Sequence, residues 1–233
     1  MCIYRVARHM RYRFFREHKY VSFRLTEFER RVAKTDFSAI TDVLALKEPL
    51  LSLWELMKGH AAYEDTAIFA LLRSKGENLS EELEKDHLEH EQSFTEFYAA
   101  LDNIAAEATE ERLHMGYLFY LTYRFFVAEN LRHLHMEEAF IMPALQEHCT
   151  DAELSLVEAS TYNHMTSTQM IEMMSHLFPH MDINDKIFFL QDIKKTQAAK
   201  FKQAWEGIKH QLTVDEQQMA EQQLNLTESL CIE

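Results

Sequence analysis

Only four glycines and three prolines occur in 233 residues. Tight turns rely on these two residues, glycine for positive φ and proline for a preset φ. A chain so poor in both cannot punctuate a large sheet, a sandwich or a barrel. A few long helices need far fewer breaks. Apolar residues recur at helical spacing along most of the chain, so the expected fold class is all-α. At 47% hydrophobic and 27% charged, the chain has the material for a packed core.

The formal net charge of −14 argues against a nucleic-acid partner, which requires a basic face. The first 34 residues run the other way, with Arg5, Arg8, Arg11, Arg13, Arg16 and Lys19 among their basic side chains. An arm for phosphates or membranes would have this composition. The favoured reading is the solvated face of a helix that balances acidic neighbours. Cys2, Cys149 and Cys231 are scattered and no CxxC occurs, which fits a reducing compartment without disulfides. The N-terminus lacks the apolar segment of a signal peptide, and no apolar run approaches the roughly 18 residues of a membrane span. The expected location is cytoplasmic, with no membrane partner.

Caps and breaks place helices at about 12–34, 38–73, 81–105, 110–148 and 151–177, and from Asp182 or Asn184 to about 211. Pro49 implies a kink or a broken start near Glu48. Residues 213–233 read as a short surface helix or a loose tail. The clearest change of character falls at Cys149-Thr150-Asp151. It suggests a first domain over 10–148 and a C-terminal helical extension over 149–233, packed on the first domain or on a second copy. Met165, Met170, Met173, Met174 and Met181, with His164, His176 and His180, read as the filling of an irregular helix contact rather than a copper site.

One repeat carries chemistry. His60-x-x-x-Glu64 and His133-x-x-x-Glu137 each place an imidazole and a carboxylate one above the other on a helix face, each is followed by a second acid, and each ends in leucine, at Leu72 and Leu145. Each also has an upstream histidine, His18 and His87. Two residues level on antiparallel helices have their connecting loop near their midpoint. The midpoint of His18 and His60 is residue 39, beside the break at Thr35–Ser38. That of His87 and His133 is residue 110, at the Thr109 cap, and that of Glu64 and His87 falls at Lys75-Gly76. Loops read from turn residues thus bring His18, His60, Glu64, His87, His133 and Glu137 to one level of a four-helix core.

Burying six such groups calls for a cation. Four imidazoles and two carboxylates exceed the needs of one tetrahedral zinc and suit two iron or manganese ions. A single HxxxE pair is usually a helix surface contact, whereas two with symmetric partners point to metal. Tyr63, Tyr117, Tyr120 and Tyr123 are core tyrosines with satisfied hydroxyls or hydrogen-bonding neighbours of the centre. His9 rivals His18, and His114, His148 and His210 fall outside any pattern.

With Glu17-His18-Lys19, Asp86-His87 and Pro143 added to the two HxxxE pairs, residues 10–148 resemble the hemerythrin-like, or HHE cation-binding, family. The resemblance implies an antiparallel up-down-up-down four-helix bundle, here with two additional C-terminal helices. It also implies a non-heme di-iron centre, two ions per chain, with manganese or zinc as alternatives. Oxygen carriers of that family have His-x-x-x-His in the third helix, where this chain has His87 and Glu91, and His-x-x-x-x-Asp in the fourth. Glu91 becomes a candidate seventh ligand, with His90 as its substitute. The departures turn the expectation from oxygen carriage toward binding O2 or NO, or sensing iron or redox state. Iron–sulfur-cluster repair, peroxide or NO removal, and a metal-free interaction bundle are the alternatives. The expected partners are a diatomic ligand and a second copy in a homodimer.

Overall fold

The structure is a computed structural model and describes residues 11–226. Among them it is helical, without a strand, and no helix is long and apolar enough to cross a membrane. The chain divides into two compact units, Val21–His148 and Met1–Tyr20 with Cys149–Glu233. Residues 11–20 therefore group with the C-terminal helices. Cys2, Cys231, His9, Arg5, Arg8 and the end of the tail lie outside the described residues.

Helix α1 spans His18–Val32, α2 Ile40–Leu44, α3 Lys47–Tyr63, α4 Phe69–Ser74, α5 Glu81–Ala106, α6 Thr109–Met136 and α7 Met142–His148. The expected helix over 38–73 breaks at Ala45-Leu46, which leaves Pro49 in the first turn of α3, where a missing N–H costs little. Helices α3 and α4 are joined by a π-helical turn, Glu64–Ile68, and α6 and α7 by another, Glu137–Ile141. The buried stripe of α1 is His18, Val21, Leu25, Phe28 and Val32. That of α5 is Leu83, His87, Phe94, Phe97, Leu101 and Ile104, with His90 half-buried in the same register. Steps of three and four mark one face of each helix. Within the larger unit α5 packs on α2, α3 and α6, and α4 on α7.

Arg112 fixes one end of this unit. Its guanidinium donates to the carbonyls of Phe37 at 2.9 Å, Ser38 at 2.8 Å and Glu107 at 2.6 Å, tying the α1–α2 connection to the start of α6. One turn further along α6, Gly116 lies beneath the Phe37 ring, and a Cβ there would run into the ring carbons. Gly116→Ala is expected to destabilise the protein by about 1–3 kcal/mol, read as a lower denaturant midpoint.

The other unit carries more helices than the two expected. Helix α8 spans Asp151–Asn163, α9 Ser167–Leu177, α10 Ile183–Thr196, α11 Ala198–Ile208 and α12 Val214–Gln223. The missed break between α8 and α9 is a capping box, Thr166 with Gln169, and Thr213 with Glu216 starts α12 in the same way. Met170, Met174 and Met181 are buried where α9 and its following turn pack, α9 lying against α11.

The basic segment is only in part the helix face expected, although it does balance acidic neighbours. Residues 11–15 are irregular, Phe15 turns the chain at φ 70°, and α1 starts only at His18. Acidic partners hold this segment in place of helical hydrogen bonds. Arg11 pairs with Asp151 at 2.9 Å, Arg16 with Asp192 at 3.2 Å, and Lys19 with Asp182 at 2.7 Å and Asp185 at 2.5 Å. Tyr12 donates to Asp192 at 3.0 Å and Tyr162 to Glu158 at 2.7 Å. Burial, and then the neighbouring Glu17, push the Glu158 carboxyl up to about 7. A carboxyl whose value is higher folded than unfolded binds more protons in the folded state, so stability falls as pH rises from about 4.5 to 7. Over that window the loss is on the order of 3 kcal/mol. Glu158→Gln is expected to flatten the decline of melting temperature between pH 5 and 8 seen in the wild type.

Candidate metal centre

Each HxxxE pair sits at a junction of helix types. His60 closes α3 and Glu64 opens the first π turn; His133 lies in the last turn of α6 and Glu137 opens the second. The reason is one of phase. His60, Glu64, Ile68 and Leu72 repeat every four residues, as do His133, Glu137, Ile141 and Leu145. Twelve residues of α-helix would carry the last member about 120° off the face of the first. A π turn takes up the excess, so Glu64, Ile68 and Leu72 are all buried, as are Glu137, Ile141 and Leu145. π turns inside α-helices are rare and concentrate at functional sites.

Glu64 and Glu137 are both 0% exposed. His60 Nε2 lies 3.2 Å from Glu64 Oε1, and His133 Nε2 lies 3.2 Å from Glu137 Oε1. From α5, His87 Nε2 reaches Glu64 Oε2 at 3.3 Å and Glu137 Oε1 at 3.8 Å. Ligand atoms of Glu64, His87, His133 and Glu137 all lie within 4.8 Å of one another, and those of His60, Glu64 and Glu137 do so as well. These are two His/Glu groups that could hold metal ions, and they share both carboxylates.

Two aspartates orient the imidazoles. His87 Nδ1 faces Asp65 Oδ1 at 2.9 Å, and His133 Nδ1 faces Asp86 Oδ2 at 3.2 Å. A carboxylate at Nδ1 keeps the proton there and leaves Nε2 as the ligand atom. The two Nε2 atoms lie 2.9 Å apart. At that separation either one holds a proton that the other accepts, or both would turn lone pairs toward one cation. Although burial lowers the basicity of His87, the Glu64 and Asp65 carboxylates outweigh it and hold the imidazole up at about 9. Glu137 and Asp86 likewise raise His133 against its burial. The cluster thus draws positive charge to itself, as protons or as metal. The donor set of imidazole nitrogen and carboxylate oxygen, with ligating nitrogens steered by carboxylates, fits iron, manganese or zinc.

The structure does not bring Glu91 into either group. Its side chain is 50% exposed and lies 3.5 Å from Lys58 Nζ. The core register of α5 runs 83, 87, 90, 94, 97, 101, so the inward position is His90. Its ring packs on His133 at 5.1 Å and on Phe126 at 5.6 Å. Burial, and then His133 and His87, push its imidazole down to about 4, which leaves it neutral. His18 opens α1, is 2% exposed and continues the stripe of Val21 and Leu25 by one turn. Of the tyrosines, Tyr123 is buried with its hydroxyl donating to the Leu25 carbonyl at 3.2 Å, Tyr117 is exposed and Tyr63 and Tyr120 are half-buried.

From the sequence Asp65 stands out only as the second acid that follows Glu64 in the repeat. Asp86 was noted only as the residue before His87. Comparison with protein-family models, with curated proteins and with solved structures gave no match. Asp86→Asn should weaken metal binding about 10–100-fold with the helical circular dichroism unchanged, measured by chelator competition.

Proposed function

We propose that the chain is a non-heme di-iron protein of hemerythrin-like type that binds O2 or NO, or senses iron or redox state. The observation that carries the reading is the sharing of two wholly buried carboxylates, Glu64 and Glu137, by two histidine groups. A single ion needs no such duplication, whereas paired ions use carboxylates that bind both. His87 and His133 belong to one group and His60 to the other, with His18 proposed as the fourth imidazole because it extends the buried face of α1.

The bundle arrangement belongs to the same proposal. Contacts Lys47–Asp102, Lys58–Glu91 and Arg73–Glu84 advance along α3 and α4 as they recede along α5, which supports antiparallel neighbours. Phe97–Phe119 and His87–His133 run the same way between α5 and α6. Four helices in up-down-up-down order, α1, α3–α4, α5 and α6–α7, accommodate all of these.

Ferrous iron held here would supply electrons to a bound diatomic molecule. The chain's own residues do the rest. Asp65 and Asp86 hold the imidazole protons on Nδ1, away from the ligand atoms. A pocket of about 170 Å³ beside the cluster, lined by Trp54, Met57, His60, His87, Phe94 and His133, has room for a diatomic and a few waters at about 30 Å³ each. Its apolar walls favour an uncharged entrant.

Metal analysis of the full chain expressed with added iron is expected to give about two ions per chain. His133→Ala should remove most of the metal, and His210→Ala should leave it. A wild type without stoichiometric iron, manganese or zinc sinks the reading.

A further inference from the structure

Helix α6 is apolar on two faces. Its buried side includes Gly116, Phe119, Tyr123, Phe126 and Val127. Its outer side should carry charge, as the outer face of α5 does with Glu81, Lys85, Glu89, Glu96 and Asp102. Instead, no Asp, Glu, Lys or Arg occurs from Leu113 to Tyr123. Leu113, Tyr117, Leu118, Leu121 and Phe125 stand 49, 59, 46, 41 and 67% exposed. They share one face of the helix, about 140° wide and about 18 Å long at 100° and 1.5 Å per residue.

With aromatic side chains worth about 150–250 Å² each and leucines somewhat less, these five present on the order of 500 Å² of apolar area. Homodimer interfaces are about two-thirds apolar, and a standard interface takes roughly 800 Å² from each partner. The stripe therefore supplies the apolar share of one such interface. Beside it a half-open groove between α5 and α6 adds Phe97, Met115 and Phe119, and shares Leu118 and Phe125 with the stripe.

Charge decides what fits. Two exposed acids, Glu110 and Glu111, precede the stripe. Arg124 lies at its far end, 64% exposed in its side chain and 3.6 Å from Glu29. The midpoint of 113–125 is residue 119. A second copy of α6, reversed about that point, sets Leu113 against the partner's Phe125 and Tyr117 against the partner's Leu121. It also brings Arg124 within about one turn of the partner's Glu110 and the partner's Glu111. The complement of the stripe is the stripe itself, turned end for end. An anionic membrane surface fits poorly, because acids flank the stripe and the chain carries a charge of −14. We propose that the chain forms a two-fold homodimer through the outer face of α6, packed antiparallel on the same helix of a second copy. This inference goes beyond the metal centre and does not rest on it.

The test is analytical ultracentrifugation of the full chain at about 50 μM, above the micromolar or tighter dissociation constant of an interface this size. A mass twice the 27.6 kDa of one chain is expected. Leu121→Glu places a carboxylate in the interface from both copies and should weaken dimerisation at least about 100-fold. Leu156→Glu, at the more exposed leucine of α8, should stay within about threefold. Arg124→Glu should weaken the dimer about tenfold by setting acid against acid, and adding Glu110→Arg and Glu111→Arg to it should restore wild-type affinity. Both of these variants lose the Glu29 contact, so restoration reports only the pairing across the interface. If Leu121→Glu fails to fold, as judged by circular dichroism, the Arg124 pair of variants carries the test. A monomeric wild type overturns the proposal, and so does a dimer that Leu121→Glu leaves intact. Failure of the charge exchange to restore affinity overturns the antiparallel register.

Discussion

Two carboxylates with no solvent exposure sit within 4.8 Å of each other, and the larger unit is arranged to make that tolerable. Like charges so close in a low-dielectric core repel strongly, and each loses its hydration as well. Imidazoles from α3, α5 and α6 converge on them and supply protons or bring in metal. The direction of the His87 and His133 shifts expresses this demand: carboxylates raise both against their own burial. A hydrophobic core of the same volume would be at least as stable. The polar cluster makes physical sense as a cation site more than as a device for stability.

Helical phase is the second constraint. Pairs spaced four apart are ordinary, but a run of four positions each four apart cannot stay on one face of an α-helix. The two π turns resolve this at matching places, one beginning at Glu64 and one at Glu137. They keep Ile68 with Leu72, and Ile141 with Leu145, in the core beneath the carboxylates, and Asp65 reaches His87 from the first of them. The spacing that requires a π turn was present in the repeat itself, His-x-x-x-Glu-x-x-x-Ile-x-x-x-Leu, once its period is compared with 3.6.

The smaller unit shows where local reading fell short. Thr166-Ser-Thr-Gln169 and Thr213-Val-Asp-Glu216 are capping boxes, and both were passed over inside stretches read as continuous helix or tail. The basic segment read as helical lies partly in irregular chain, because its charges find acids on α8 and α10 before they could stabilise a helix of their own. Helical propensity is worth tenths of a kcal/mol per residue, and several partly buried ion pairs override it.

The sequence by itself determined the helical class, the span of α5 and that from α6 to the end of α7 to within a residue or two, and the two His/Glu pairs. These follow from spacing along one helix, which is a local property. Tertiary structure alone decided that His90 and not Glu91 faces inward, that Asp65 and Asp86 steer the imidazoles, and that a long half-open groove lies between α5 and α6. Each depends on how far one helix is rotated about its axis against another. That rotation is fixed by the sum of side-chain packing along both helices, and no short stretch of residues encodes it.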